Sequence, residues 1–213
     1  MELESAMTST PSVRYFQTTP VPDAVLHRAL DRARFAPSGG NRQGWHVVVV
    51  TKPELRARGA EIYAPLFATY EARARSRASA DPARLRSLER SAAFARGLAE
   101  VPVHLWVSVD LRSLHIADGG LDRQSIVGGA SIYPFVQNLL LALRGEGVGS
   151  ALTTIAIPAE AELKSVFGIP AQHALAALIA VGWPAQPLDQ RLRRKPVQEF
   201  ATRDRFDGEP FTA

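Results

Sequence analysis

Apolar residues along the chain fall into two periodicities, and their alternation sets the expected order of elements. Leu26, Ala29, Leu30 and Ala33 recur at helical spacing. Pro22 and Asp23 suit the first turn of that helix. It is expected to stop near Phe35, because Pro37 disfavours helical geometry at Ala36. Val47, Val48, Val49 and Val50 form an unbroken run in a strand over 46–51. The run is too apolar for a half-exposed strand, so it reads as a sheet interior. Pro53-Glu54 starts a second helix, and 61–98 reads as helical, broken at Asp81-Pro82, where Asp81 suits an N-cap and Pro82 the first helical position. A strand over 101–109 alternates around Val103, Leu105, Val107 and Val109. Ile132, Phe135, Val136, Leu139, Leu140 and Leu143 mark a central helix, with Pro134 in its first turn or kinking it and Gly145 and Gly147 ending it. A short helix over 158–167 stops at Gly168, and 175–183 reads as a buried strand. From Pro184 the chain is proline-punctuated and extended. Residues 1–11 are expected to be ordered only by contact with other parts. This order indicates α+β or α/β around a central sheet.

Composition narrows the chemistry. The 213 residues are 46% hydrophobic, enough for one cored domain. There is no cysteine, which excludes disulfides, thiol nucleophiles and cysteine-ligated metal centres and fits a cytoplasmic protein. Glu2 and Glu4 precede any basic residue and no apolar segment follows, so no signal peptide is expected. The longest apolar run, 174–181, is too short to span a membrane. The net charge is +4, carried almost wholly by arginine. The arginines of 56–96 alternate with alanine and acidic residues and read as a solvated helical face. A nucleic-acid interface would need a one-sided basic stripe with interleaved aromatics.

Three constellations carry candidate chemistry. The first is Ala36-Pro37-Ser38-Gly39-Gly40-Asn41-Arg42-Gln43-Gly44-Trp45, a loop of small and amide residues leading into a strand. Its glycines permit close backbone approach, and Ser38, Asn41 and Gln43 supply donors and acceptors for the edge of a flat heterocycle. The second pairs Ser12 and Arg14, able to grip one anion, with the cationic run Arg191-Leu192-Arg193-Arg194-Lys195-Pro196. The third is Gln137-Asn138-Leu139-Leu140-Leu141-Ala142 followed by Gly145-Glu146-Gly147-Val148-Gly149-Ser150-Ala151-Leu152-Thr153-Thr154. Its G-x-G-x-G glycines follow a helix rather than a strand, which excludes a Rossmann fingerprint. The five histidines show no metal-ligand spacing. There is no G-x-S-x-G elbow. Trp45, Trp106 and Trp183 read as core residues.

These segments resemble the FMN-dependent nitroreductase family. The first matches its APSxxNxQPW signature, with Gly44 at the usual proline, a change read as one of loop stiffness. Ser12 and Arg14 match its Arg-x-Ser-x-Arg/Lys motif, with Thr10 at the first basic position. The third resembles QNLLLAAxxxGLGS, and Gly168-Ile169-Pro170 with Val181-Gly182-Trp183-Pro184 resembles "GIP … LGYP". The matches run from Ser12 to Pro196. The resemblance implies an α+β nitroreductase-like fold with a mostly antiparallel central sheet flanked by helices. It implies a single domain over 1–213, with 61–98 as a helical lid and 197–213 as an arm exchanged in an intertwined homodimer. It implies FMN, contacted by Ser12, Arg14, Pro37, Ser38, Gly39, Asn41, Gln43, Leu152, Thr153, Thr154, Arg193 and Arg194. One subunit would supply Ser12, Arg14 and Arg194, with Arg14 near the flavin N1–O2 edge and the 152–154 segment at N5. The other would supply Ser38, Asn41 and Gln43. NADH or NADPH would reduce the flavin, and a nitroaromatic, quinone or similar small molecule would reoxidise it in ping-pong order. No general acid or base is assigned. Arg73, Arg75 and Arg77 are candidates for a nicotinamide 2′-phosphate. Reductive dehalogenation, flavin fragmentation and flavin sequestration without turnover are the alternatives.

Overall fold

In the computed structural model, which describes residues 1–78, 81–188 and 192–212, the apolar runs at the centre of the chain pair into one antiparallel sheet. Its strands are β1 (Trp45–Val50), β2 (Val103–Asp110), β3 (Gly149–Thr153) and β4 (His173–Gly182), in the order β1-β2-β4-β3. Every pairing is antiparallel, which decides for α+β. β2 and β4 form the inner pair. The alternation of Val103, Leu105, Val107 and Val109 does not divide a wet face from a dry one, because His104, Trp106 and Ser108 on the other face are buried too.

Helices cover both faces. Val103, Leu105, Val107, Ile179 and Val181 pack against α2 (Asp23–Ala33) and α5 (Tyr133–Gly145). Trp106, Leu178 and Ala180 pack against α3 (Pro53–Ala78), α4 (Pro82–Arg96) and α6 (Glu160–Phe167). Leu139 and Leu143 of α5 are fully buried. Each such side chain contributes about 1.5–3 kcal/mol relative to an exposed one. Pro134 lies in the first turn of α5. The Asp81 carboxylate accepts from the N–H groups of Ala83 and Arg84 and caps α4, with Pro82 its first residue. The chain just before that cap, 79–80, lies outside the described residues. Gly168 ends α6 at φ 64°, where a β-carbon would be strained.

Two expectations, on β1 and on β3, are corrected. β1 is an outer strand, not sheet interior: Val47 and Val48 are half-buried, Val49 is 40% exposed and only Val50 is buried. A valine run reads alike whether its own helices cover both faces or something beyond the chain does. Residues 3–9 form a helix, α1 (Leu3–Ser9), set against α5 by the Arg144 guanidinium, which donates to Ser9 Oγ at 3.2 Å and to the Leu188 carbonyl at 2.7 Å. β3 was not expected as a strand, because Gly-Ser-Ala-Leu-Thr has no β-branched run. Its pairing with β4 makes it one.

Candidate functional site

The segment after α1 runs as a strap along the end of the sheet. The Val13 N–H donates to the Ser150 carbonyl at 2.8 Å, Gln17 N–H to Trp183 at 2.8 Å, and Ala185 N–H to Tyr15 at 3.0 Å. Two glycines let the strap lie close. A β-carbon on Gly149 would come within 2.9 Å of Val13, and one on Gly182 within 3.0 Å of Phe16. Arg14 is thereby fixed beside β3.

Ser12 and Arg14 line a cleft of about 140 Å³ together with Ala151, Leu152 and Thr153 of β3, Tyr63, Phe67 and Tyr70 of α3, and Ser91 and Phe94 of α4. Residues some 140 positions apart in sequence thus line one cleft. The Tyr63 hydroxyl lies 3.3 Å from Thr153 Oγ1, which also accepts the Ile155 N–H at 3.3 Å. Burial raises the Tyr63 pKa, so the phenol stays protonated at neutral pH. Thr154 is exposed and does not line the cleft. Arg14 is half-buried, and among the described residues no carboxylate pairs with it. A cation so placed, beside a serine hydroxyl and an outer strand, suits an anionic or electron-rich ligand.

Arg14, Tyr70 and Ser91 also border a second chamber of about 570 Å³, whose walls include Arg73, Arg77, Arg84 and Ser87. The arginines of 56–96 therefore divide by role. Arg56 is structural, donating to the carbonyls of Ala99 and Val101. Arg58 and Arg75 pair with glutamates on the surface, as a solvated face requires. Arg73, Arg77 and Arg84 line the chamber. Tyr63, Phe67 and Tyr70 were absent from the sequence-derived site. Their i, i+4, i+7 spacing is the signal that marks them as one helical face.

The loop before β1 forms a separate cluster. Gly39–Asn41 is one turn of 3-10 helix, and Gly40, Asn41 and Gln43 all have φ between 50° and 60°. For Asn41 and Gln43 this is a costly backbone, held by side-chain bonds. Ser38 Oγ accepts the Gln43 N–H at 3.0 Å, Ser131 Oγ accepts the Gly39 N–H at 3.0 Å, and Gln43 Nε2 reaches Asn41 Oδ1 at 3.2 Å. The loop around Ser131 is stapled by buried Asp118, which accepts from Ile126 N–H, Ser125 Oγ and Arg123. Those bonds, the Ile126 N–H first, hold its pKa at about 2. Pro37, Ser38, Gly39, Asn41 and Gln43 do not line the cleft at Arg14. The loop leads into β1 and the cleft lies at β3, on opposite edges of the sheet. Three interstrand steps put those edges roughly 14 Å apart.

Gly44 has a packing role beyond loop stiffness. A β-carbon there, proline's included, would sit 1.8 Å from Ser113 Oγ and 2.6 Å from its Cβ. Gly44→Ala is expected to destabilise the fold by about 1–3 kcal/mol through overpacking. Ser113→Gly in the same chain should restore most of that, as read by urea denaturation.

The C-terminal cations remain apart from the cleft. Arg191 lies outside the described residues. The Leu192 N–H donates to the Thr8 carbonyl at 2.8 Å, bringing the tail to α1 a few residues before Ser12. Arg193 and Arg194 are exposed, and the Arg194 guanidinium bonds only the Arg193 carbonyl among the described residues. Thr10 Oγ1 donates to Ala6 O at 2.6 Å and is turned back onto α1.

The nitroreductase family model matches residues 8–183. An NADH dehydrogenase of Thermus thermophilus is 29% identical over 214 residues, covering 87% of this chain and 88% of its own. A 5,6-dimethylbenzimidazole synthase of Rhodospirillum rubrum is 28% identical over 178 residues, covering 82% and 78%. Among solved structures, an FMN and NADPH-dependent nitroreductase from Sphigopyxis sp. strain HMH superposes with TM-score 0.73 at 22% identity, covering 97% of this chain and all of that one. No helix among the described residues is long and apolar enough to cross a membrane.

Proposed function

The chain belongs to the nitroreductase family, and on that premise we propose that it is a homodimeric, FMN-dependent oxidoreductase. The observation that carries the reading is the meeting of Ser12, Arg14, Leu152 and Thr153 in one cleft. The donor set fits the cofactor: a guanidinium unpaired among the described residues, a hydroxyl, and an outer strand under an aromatic wall. Ser12, Arg14, Leu152 and Thr153 would hold FMN, which would supply the redox chemistry that links NADH or NADPH to a nitroaromatic, quinone or similar acceptor.

The chain's own part is positioning and charge. Arg14 stabilises negative charge at the edge of the ring system. Thr153, held by Tyr63 and by the Ile155 N–H, orients the ligand at the centre of the cleft. Tyr63, Phe67 and Phe94 exclude water from one side. Arg193 and Arg194, tethered beside α1 through Leu192, answer the phosphate and offset the missing cation at Thr10.

A second copy supplies the remaining contacts. Pro37, Ser38, Gly39, Asn41 and Gln43 stand on the opposite edge of the sheet, so the partner's equivalent loop completes the site. Exposed Leu3, Met7, Phe35 and Val49 offer apolar surface for such a partner. The 197–213 arm supports the same reading. Among the described residues, the hydrogen bonds of 193–212 close within the segment, and Phe200 and Phe206 project into solvent.

The purified protein is expected to be yellow, to have twice the chain mass in solution, and to lose its flavin absorbance on anaerobic addition of NADH or NADPH. A colourless monomer that takes up no added FMN would refute the reading. Bleaching by dithionite alone would leave a flavin-storing protein. Product analysis on an acceptor panel separates nitro or quinone reduction from dehalogenation and flavin fragmentation.

A further inference from the structure

The outer chamber carries a charge pattern that the flavin does not account for. Tyr63, Phe67 and Tyr70 lie on one face of α3, with ring centroids 5.9 and 5.8 Å apart. This aromatic ladder begins at Thr153, where Tyr63 is anchored, and ends at Tyr70. Arg73 and Arg77 continue along the next turns of the helix, and Arg84 of α4 faces the same space. Arg14 closes its inner end.

Four arginines thus border one chamber, and among the described residues no aspartate or glutamate shares its lining. Arg84 is offset by Asp81, while Arg75, outside the lining, is neutralised by Glu71 at 2.9 Å. Arg73 and Arg77 pair with no carboxylate among the described residues. Like charges gathered around a partly enclosed space raise the local potential and draw in a counter-anion.

We infer that this chamber receives the anionic substituent of the electron acceptor, so that preferred acceptors are aromatic molecules bearing a carboxylate, sulfonate or phosphate. The inference rests on the flavin-enzyme reading and names the substrate class of that site. Length supports the assignment. Tyr63 to Tyr70 spans seven residues of helix, about 10 Å, the scale of one substituted aromatic ring lying along the ladder. The 2′-phosphate of NADPH lies beyond two riboses and a pyrophosphate from its reacting carbon, a poor match for so short a path. At about 570 Å³ the chamber has the size of a small-ligand site.

The test uses the flavin-loaded full chain, with loading confirmed by absorbance, and compares para-nitrobenzoate with the neutral para-nitrobenzyl alcohol. The protein is expected to bind the carboxylate about tenfold more tightly by calorimetry, with a parallel difference in KM, as charged hydrogen bonds of this kind provide. Arg73→Gln with Arg77→Gln should abolish that preference, and each single variant should reduce it. Arg75→Gln should keep it. Arg73 and Arg77 are exposed helical residues, and an unchanged thermal transition shows that the double variant is folded. Equal binding of the two compounds, or a preference that survives the double variant, overturns the inference. So does a double variant that changes only NADPH against NADH in stopped-flow reduction, which would give the chamber to the nicotinamide phosphate. If the protein takes up no flavin, the enzyme reading fails by itself, and calorimetry of para-nitrobenzoate on the flavin-free protein still reads the chamber.

Discussion

Replacing Arg14 with alanine is expected to raise the Kd for FMN roughly 10- to 150-fold, the equivalent of a lost charged hydrogen bond worth about 1.5–3 kcal/mol. The side chain is half-buried in the cleft and the strap holds its backbone on both sides, so the ligand gains its charge without ordering a mobile arm. Arg14→Lys should recover only part of the affinity, because an ammonium lacks the planar fork. Titration of flavin-free protein with FMN by fluorescence quenching measures it. Arg14 does not pair with a carboxylate among the described residues, so its removal leaves no carboxylate of that set stranded, and the thermal transition should move little. An unchanged Kd would remove Arg14 from the cofactor site.

The second large effect concerns stability. His104 on β2 has no solvent exposure, and its Nε2 lies 2.8 Å from the Leu98 carbonyl. Burial, reinforced by the Arg56 cation and only partly opposed by that carbonyl, depresses its pKa from 6.5 to about 4. The protonated ring would also carry an N–H at Nδ1, an atom without a hydrogen-bond partner among the described residues. In the unfolded chain the ring binds its proton near pH 6.5, while the folded protein refuses it until about pH 4. Stability is therefore complete above 6.5 and declines as pH falls through that window. The loss amounts to about 3 kcal/mol at its lower end. Urea denaturation from pH 7.5 to 4.5 checks it. His104→Gln, which keeps a donor for Leu98, should flatten most of the slope. The loss of Asp118's bonds belongs to a lower window, from the usual carboxylate range down to about pH 2.

The helices were legible because each is specified locally. The heptad-like spacing of α5, the Asp81-Pro82 start of α4 and the glycine stop of α6 act within a few residues. β3 and the outer position of β1 were not, because both are set by partners distant in sequence. β3 exists through β4 and through the strap lodged on Gly149. β1 is only half-buried by the two helical layers, with Val50 alone of its valines buried. The site divides in the same way. Ser12, Arg14, Leu152 and Thr153 carry recognisable motifs and line one cleft. Thr154, Arg193 and Arg194 fall outside the cleft lining, and the 36–44 loop lies on the far edge. Tyr63, Phe67, Tyr70, Arg73, Arg77 and Arg84 belong to no motif. Only folding α3 against α4 reveals that they share one wall.

The insertion between the first two strands has an evolutionary corollary. β1 and β2 are hydrogen-bonded neighbours, with Val50 opposite His104, although the two-helix hairpin separates them in sequence. The ladder already clamps the stems from which that hairpin springs. Doubling the inserted length would add only about 0.6 kcal/mol of closure entropy. The distal turns, beyond the Ile62–Phe67 anchor, thus behave as an exchangeable cassette. Substitutions in those turns would change the residues that border the chamber and leave the hydrogen-bonded ladder of the four-stranded sheet as it is.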